Sequence, residues 1–417
     1  MKSKILILLL FGVLKVGAQT STFSRVDSLF ERGRYKLALS QLDKIEKSSF
    51  LSNYKTAVIY ESIDNYAKAI LFIEKALVYK KDYKAKLKLA KAYLKINKPS
   101  KTINIYEAIL TKDSLNLVLK YQLGKLYLKN KNAKKAIAIF KGLIQKDSLN
   151  ANYSYQLGLS FSLLNDRDRM INSFLDTHSK DSTHLKSIIR LASSFNKLND
   201  KDSTQIFVNK GLLIDSNHIA LNKLNINQLY RDKKYQVAIV SLLKLDSILK
   251  NDTYVASMLG RSYYNLDSLN KADEYFRKLY YIDKDNYKSF TYRGHIASKE
   301  RKFKDAETFY RMATHIGKEK RDEEFYSLAT VNYELKKAKQ ALFYFDKAFK
   351  ENIKNYKALY QYAKLSDDYY KDKKIAYNHY IKYLDRFMDK DIVITDFIKG
   401  RIKEIKMMYF MRGESLE

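Results

Sequence analysis

Apolar residues fall at three- and four-residue steps through most of the chain, with short polar links between the stretches. In one stretch Leu123, Gly124 and Tyr127 share a face; in the next, Ala136, Phe140 and Leu143 share another. That spacing predicts two amphipathic α-helices, because a turn of about 3.6 residues brings such positions to one side. The pair then recurs. Lys112-Asp113-Ser114-Leu115-Asn116 returns as Lys146-Asp147-Ser148-Leu149-Asn150, and Tyr121-Gln122-Leu123-Gly124 returns as Tyr155-Gln156-Leu157-Gly158, both after 34 residues. A small residue marks each unit at Ala57, Ala90, Gly124, Gly158, Ala192, Gly260, Gly294, Ala329 and Ala363, with Ile226 as the exception. A second small series follows twelve positions later at Ala69, Ala136, Ala238, Ala272, Ala306 and Ala341. Two series with one spacing define a repeat array.

The physical reading of each unit is a pair of crossing helices. Small side chains at Gly124 and Ala136 let the backbones approach, and a tyrosine or phenylalanine fills the space beside them. Asp113-Ser114, Asp147-Ser148 and Asp215-Ser216 lie where a side-chain oxygen can cap the next helix. The one proline, Pro99, falls between the two helices of its unit, where it breaks no helical hydrogen bond. With only 12 glycines besides, the chain lacks the punctuation of a β-sandwich or barrel and reads as all-α.

Leu123-Gly124-Tyr127 with Ala136 and Phe140, and Leu259-Gly260-Tyr263 with Ala272 and Phe276, resemble the tetratricopeptide repeat family. Leu157-Gly158-Phe161 and Leu89-Ala90-Tyr93 are near matches. The resemblance covers about eleven units from residue 22 to residue 388, and it implies a right-handed superhelical α-solenoid of helix-turn-helix repeats. The family's tryptophan is absent everywhere, as is its closing proline. The first unit (Ala38 to Leu42) and the sixth and seventh (Ala192 to Leu245) are degenerate, so altered helix packing is expected there. Beyond the last unit Ile394, Ile398, Ile402, Ile405 and Tyr409 form one stripe, with Lys399, Lys403 and Lys406 opposite. That is the pattern of a capping helix, one face on the stack and one in water; a membrane-surface helix shares it.

Residues 1–18 read as a signal peptide: Lys2 and Lys4 before the apolar run Ile5 to Val13, then Val16-Gly17-Ala18. The expected plan is therefore a signal peptide over 1–18, a solenoid over 19–388, and a capping helix with tail over 389–417. The apolar run is shorter than the ~20 residues that span a bilayer, and none later approaches that length. The expected mature chain is exported, has no transmembrane segment and resides in the periplasm or cell envelope rather than being secreted. Formal charge is +32, from 78 Lys+Arg against 46 Asp+Glu. Most cations are lysine. An acidic partner accounts for that bias, and so does a coding sequence poor in G and C.

No cysteine is present, which excludes thiolate metal sites and cysteine nucleophiles. His178, His184, His218, His295, His315 and His379 form no metal-binding pair by spacing, and no phosphate loop or nucleophile elbow appears. The pairs Glu323-Glu324 and Asp367-Asp368 read as solvated charges. No cofactor, metal or catalytic residue is expected.

The resemblance implies instead a concave groove lined by the first helices. Its positions carry over to Tyr54, Lys91, Lys95, Tyr121, Lys125, Lys129 and Tyr155, then to Lys223, Asn227, Tyr230, Arg231, Arg261, Tyr264, Lys299, Tyr326, Tyr360 and Lys364. A floor of lysine and tyrosine suits an extended protein or peptide partner, acidic or bearing aromatic residues. In some family members a carboxylate clamp holds acidic tails; Lys223, Asn227 and Lys288 match three of its five positions, while Met258 and Tyr292 depart from it. The leading expectation is a non-enzymatic protein-interaction scaffold of the bacterial envelope. The alternative is a binder of an anionic polymer, nucleic acid or an acidic envelope glycan, although nucleic acid fits an exported chain poorly.

Overall fold

A computed structural model describes residues 22–45, 48–317 and 320–416; the expected signal segment lies outside them. The described residues form 23 α-helices and no strand. They divide into two compact units, one ending at Ile214 and one beginning at Asp215. This boundary falls inside the stretch where the repeat motif is degenerate.

The first unit holds six helix pairs: α1 (22–31) with α2 (Tyr35–Asp43), α3 (Phe50–Ser62) with α4 (Tyr66–Tyr79), α5 (Tyr83–Lys95) with α6 (Pro99–Leu110), α7 (Leu117–Lys129) with α8 (Ala133–Lys146), α9 (Ala151–Leu163) with α10 (Arg167–Lys180), and α11 (Leu185–Lys197) with α12 (Lys201–Ile214). The second holds five: α13 (Ile219–Arg231) with α14 (Tyr235–Ile248), α15 (Thr253–Asn265) with α16 (Leu269–Ile282), α17 (Tyr287–Lys299) with α18 (Phe303–Ile316), α19 (Asp322–Glu334) with α20 (Ala338–Glu351), and α21 (Tyr356–Tyr369) with α22 (Lys374–Phe387). A final helix, α23 (Ile392–Met411), follows. Each helix packs on its neighbour in sequence within its unit, the arrangement of a helical-repeat solenoid.

The small residues work differently from the close backbone contact read from the sequence. A Cβ added to Gly124 would meet the Phe140 ring at 2.7 Å, and one on Gly158 the Phe174 ring at 2.6 Å. Gly260 stands in the same way against Phe276, and Gly294 against Tyr310. The glycine makes room for a ring sixteen residues later on the second helix. At the exception Ile226 the opposing residue sixteen positions on is the branched Leu242 in place of a ring, and both are fully buried in one cluster. The second small series, Ala69 to Ala341, is fully buried as well.

The link between the helices of a pair is equally regular. Asp64, Asn97, Lys131, Asn165, Asn199, Lys233, Asp267, Arg301 and Lys336 all have φ between 55° and 61°, and Gly33 takes this place in the first pair. The next amide donates back five residues, as Asn132 N–H does to the Tyr127 carbonyl at 2.8 Å. This is the left-handed helix stop that glycine normally fills. Pro99 opens α6, where its missing N–H costs nothing.

Capping needs a correction. At these helices the residue that caps is the one just before the helix: Asn116 accepts from Leu119 N–H at 2.9 Å, and Asn150 from Asn152 N–H at 3.2 Å. Asp113 instead accepts from the Asn116 amide at 3.0 Å, holding the cap in place. His184 and His218 fill this position through Nδ1, accepting from Ser187 and Leu221 N–H.

The last helix buries Thr395, Ile398, Ile402, Ile405 and Tyr409 against the second unit's final repeat. Arg401 grips Asp367 with two bonds, Nε to Oδ2 at 2.6 Å and Nη2 to Oδ1 at 3.1 Å. Asp367 is therefore a buried ion-pair acceptor and not the solvated charge read from the sequence. Glu324 is buried too, accepting from Thr291 Oγ1 at 3.0 Å, and burial raises its pKa. The outer face of α23 is only partly polar, since Ile392, Val393, Met407, Phe410 and Met411 are exposed on it.

Gly158→Ile places a side chain where the Phe174 ring lies and is expected to destabilise the first unit by ~1–3 kcal/mol. Adding Phe174→Leu, which transplants the Ile226–Leu242 pairing, should recover part of that loss. Urea unfolding of both variants and the double mutant measures the coupling.

Candidate functional site

All seventeen sequence-predicted site residues lie on first helices. The structure sorts them into two groups, one in each unit. In the first, Lys91 and Lys95 stand one turn apart on α5, and Lys125 and Lys129 one turn apart on α7, all exposed. None of the four makes an ion pair among the described residues. Helices α5, α7 and α8 contain no aspartate or glutamate, and two acids that reach them from neighbouring helices pair with other lysines, Glu61 with Lys88 and Glu107 with Lys135. The lysines rest near rings instead: Lys125 Nζ lies 5.5 Å from the centre of Tyr121, and Lys95 Nζ lies 5.9 Å from that of Tyr66. Tyr121 continues the surface onto α9, with Tyr153 at 5.6 Å between ring centres. Tyr155 packs against the capping His184 at 4.8 Å. Tyr54 stacks on Phe50 within its own helix.

The second group is tied down internally. Lys223 pairs with Asp252 at 3.2 Å and lies over the Tyr254 ring. Asn227 accepts from the Tyr254 hydroxyl at 2.9 Å, and burial raises the pKa of that phenol. Arg261 lies over Tyr230, whose hydroxyl accepts from Asn265 at 2.9 Å. Lys299 lies over Tyr264 and pairs with Asp267 at 2.6 Å. Arg231 bonds Gln228 at 2.8 Å. Two of the three clamp-like positions, Lys223 and Asn227, are thus already occupied by partners from the next repeat.

Tyr326 and Tyr360 serve mainly as packing, against Phe345 and against Tyr383 and Phe397 respectively. Lys364 is exposed beside Phe397. The sequence reading missed Tyr254, Asp252 and Asp267, the residues that neutralise this face. A usable signal existed: the capping residue of one repeat touches the fifth position of the preceding first helix, as His184 touches Tyr155 and Asp252 touches Lys223.

The same unit carries a notch of about 740 Å³ lined by Tyr280, Phe290, Phe325 and Phe343 together with Arg311, Arg321 and Lys347. Its cations lie over its rings, Lys347 Nζ 4.4 Å from the centre of Phe325. No carboxylate is among its lining residues. Among the described residues no cluster of His, Asp and Glu has metal-binding geometry. No helix there is long and apolar enough to cross a membrane.

The histidines are mostly structural. His295 Nδ1 lies 2.7 Å from the Tyr310 hydroxyl among the rings of Tyr264 and Tyr292, and burial lowers its pKa below 6.5. Burial lowers those of His178 and His379 as well, with Lys210 and Lys382 adding to the effect. The unfolded chain then takes up protons before the folded one. Stability contributed by these groups is full above 6.5 and declines as pH falls through the lowered values. The melting temperature should fall on acidification through that window, and His295→Gln should flatten the slope in a series of thermal melts.

Two family models, both described as tetratricopeptide repeat, match residues 119–148 and 255–286. No curated protein sequence matches the chain. Among solved structures, yeast Tom70 is 13% identical with a TM-score of 0.41, covering 94% of this chain and 96% of its own. PilF of Pseudomonas aeruginosa is 16% identical with a TM-score of 0.42, covering 54% and 99%. MamA is 19% identical with a TM-score of 0.35, covering 38% and 94%. Likeness at this level carries no inference about shape or partner. The matched segments are the fourth repeat and the eighth, those whose glycine–phenylalanine fit the structure displays at Gly124 and Gly260. With that fit recurring along an array of paired helices, the chain carries tetratricopeptide repeats, matched by family models in its fourth and eighth units.

Proposed function

We propose that the chain is a non-catalytic scaffold of the bacterial cell envelope that docks an extended, acidic protein segment in a groove along its first helices. The observation that carries this reading is the contrast between the two groups of cations. Lys223 and Lys299 spend their charge on Asp252 and Asp267, whereas Lys91, Lys95, Lys125 and Lys129 have no such partner among the described residues. Four like charges on neighbouring first helices repel one another, and an acidic segment laid across them relieves that repulsion. Tyr121 and Tyr155 add apolar area with polar tips beside the lysines. Exposed ion pairs contribute about 0.2–1 kcal/mol each, so the group supplies selectivity for acidic segments more than tight binding.

An anionic polymer would be drawn to the same field, because α8 is also free of acids. Position separates the two. Reversing Lys91, Lys125 and Lys129 to glutamate should weaken binding of a labelled Asp/Glu-rich, tyrosine-bearing peptide by roughly tenfold at low salt. The same reversal at Lys134, Lys141 and Lys146, exposed on the second helix α8, should leave it nearly unchanged. Fluorescence anisotropy reads both. Equal losses from the two triple variants, with a steep log–log salt dependence for single-stranded DNA, would replace the groove by non-specific polymer binding.

A further inference from the structure

We propose that the outer face of α23 pairs with the same face of a second copy of this chain, the two helices running antiparallel. A terminal helix that only sealed the array would turn polar residues outward. This one exposes Val393, Met407, Phe410 and Met411 at 74, 61, 80 and 79%, with Ile392 and Phe397 beside them. The positions fall in a helical seam: Val393, Gly400 and Met407 are seven residues apart, and so are Asp396, Lys403 and Phe410. Seven-residue spacing on one side of a helix is what pairing with a second helix requires. The seam from Val393 to Phe410 is about 25 Å long at about 1.5 Å per residue.

Gly400 sits at its middle. No atom lies within 4 Å of where its Cβ would be, so nothing inside the chain demands glycine there. Glycine weakens a helix interior, and what it offers in return is close approach by a neighbouring helix. The apolar ends flank it, Ile392, Val393 and Phe397 on one side and Met407, Phe410 and Met411 on the other. Antiparallel pairing about Gly400 sets one end of each helix against the opposite end of the other.

Charge fixes the direction and the occupant. Asp396 and Lys403 are exposed on this face and make no ion pair among the described residues. Antiparallel pairing brings Asp396 near Lys403 of the second copy. Parallel pairing would face aspartate with aspartate and lysine with lysine, which is repulsive. Asp396 and Glu404 in the middle of the face also oppose insertion into an anionic lipid surface.

The absence of native cysteine allows a direct test. Gly400→Cys should give a covalent dimer on mild oxidation of the full mature chain. Val393→Cys and Met407→Cys should crosslink to each other when mixed but not alone, since like positions in the pair lie about 21 Å apart, beyond the reach of a disulfide. Lys339→Cys, exposed on α20, should stay uncrosslinked. In sedimentation the unmodified chain should show a concentration-dependent dimer, and Gly400→Leu, with an unchanged melting curve, should weaken it by about tenfold or more. A chain that stays monomeric up to about 100 µM, self-crosslinking at Val393→Cys, or capture of α23 by anionic phospholipid vesicles with loss of the Gly400→Cys crosslink would each overturn the proposal.

Discussion

The architecture depends on a volume match inside each repeat. A first helix offers a gap, and sixteen residues later the second helix fills it with a ring or branched side chain. Gly124 with Phe140, Gly158 with Phe174, Gly260 with Phe276 and Gly294 with Tyr310 state the rule in its plainest form. Ile226 with Leu242 fills the same two positions with two branched side chains, both fully buried. Close packing leaves little tolerance for a side chain that does not fit its opposite number. Because each repeat touches only its neighbours, the match must be satisfied locally and again in every unit.

Regular repeats also create regular slots for polar residues, and the identity of the side chain in a slot decides the electrostatics of the surface. Among the residues in the cap slot before a first helix are Asn116, Asn150, His184 and Asp252. All four cap, but only the aspartate also neutralises a lysine on the preceding repeat. The turn slot behaves alike: Asp267 pairs with Lys299, whereas the same slot ahead of Lys129 holds the neutral Asn97. A few substitutions at fixed positions thus leave Lys223 and Lys299 ion-paired, and Lys91, Lys95, Lys125 and Lys129 without an ion pair among the described residues.

The end of the array follows the same economy. Buried Asp367 is partnered by Tyr380, Lys373 and Arg401, and Arg401 reaches it because α23 lies against the last repeat. Helix α23 is fastened by a paired charge as well as by its isoleucines. Its other face carries a second set of apolar residues, which distinguishes it from a helix that merely seals a stack.

The repeat period, the helix pairs, the buried alanine series and the inner stripe of α23 were all legible in the sequence, because periodicity reports which side of a helix meets the core. The lysine–tyrosine content of the first helices was legible for the same reason. The sequence could not say which lysines were free, since pairing joins residues about thirty positions apart whose side chains meet only after repeats stack. It misplaced the caps by a few residues and took Asp367 and Glu324 for solvated charges, because burial of a polar group is set by what packs over it. The left-handed turn residues were invisible for a further reason: lysine, arginine, asparagine and aspartate stand where glycine would have announced them. Local pattern determined the helices; contact between repeats decided the charges.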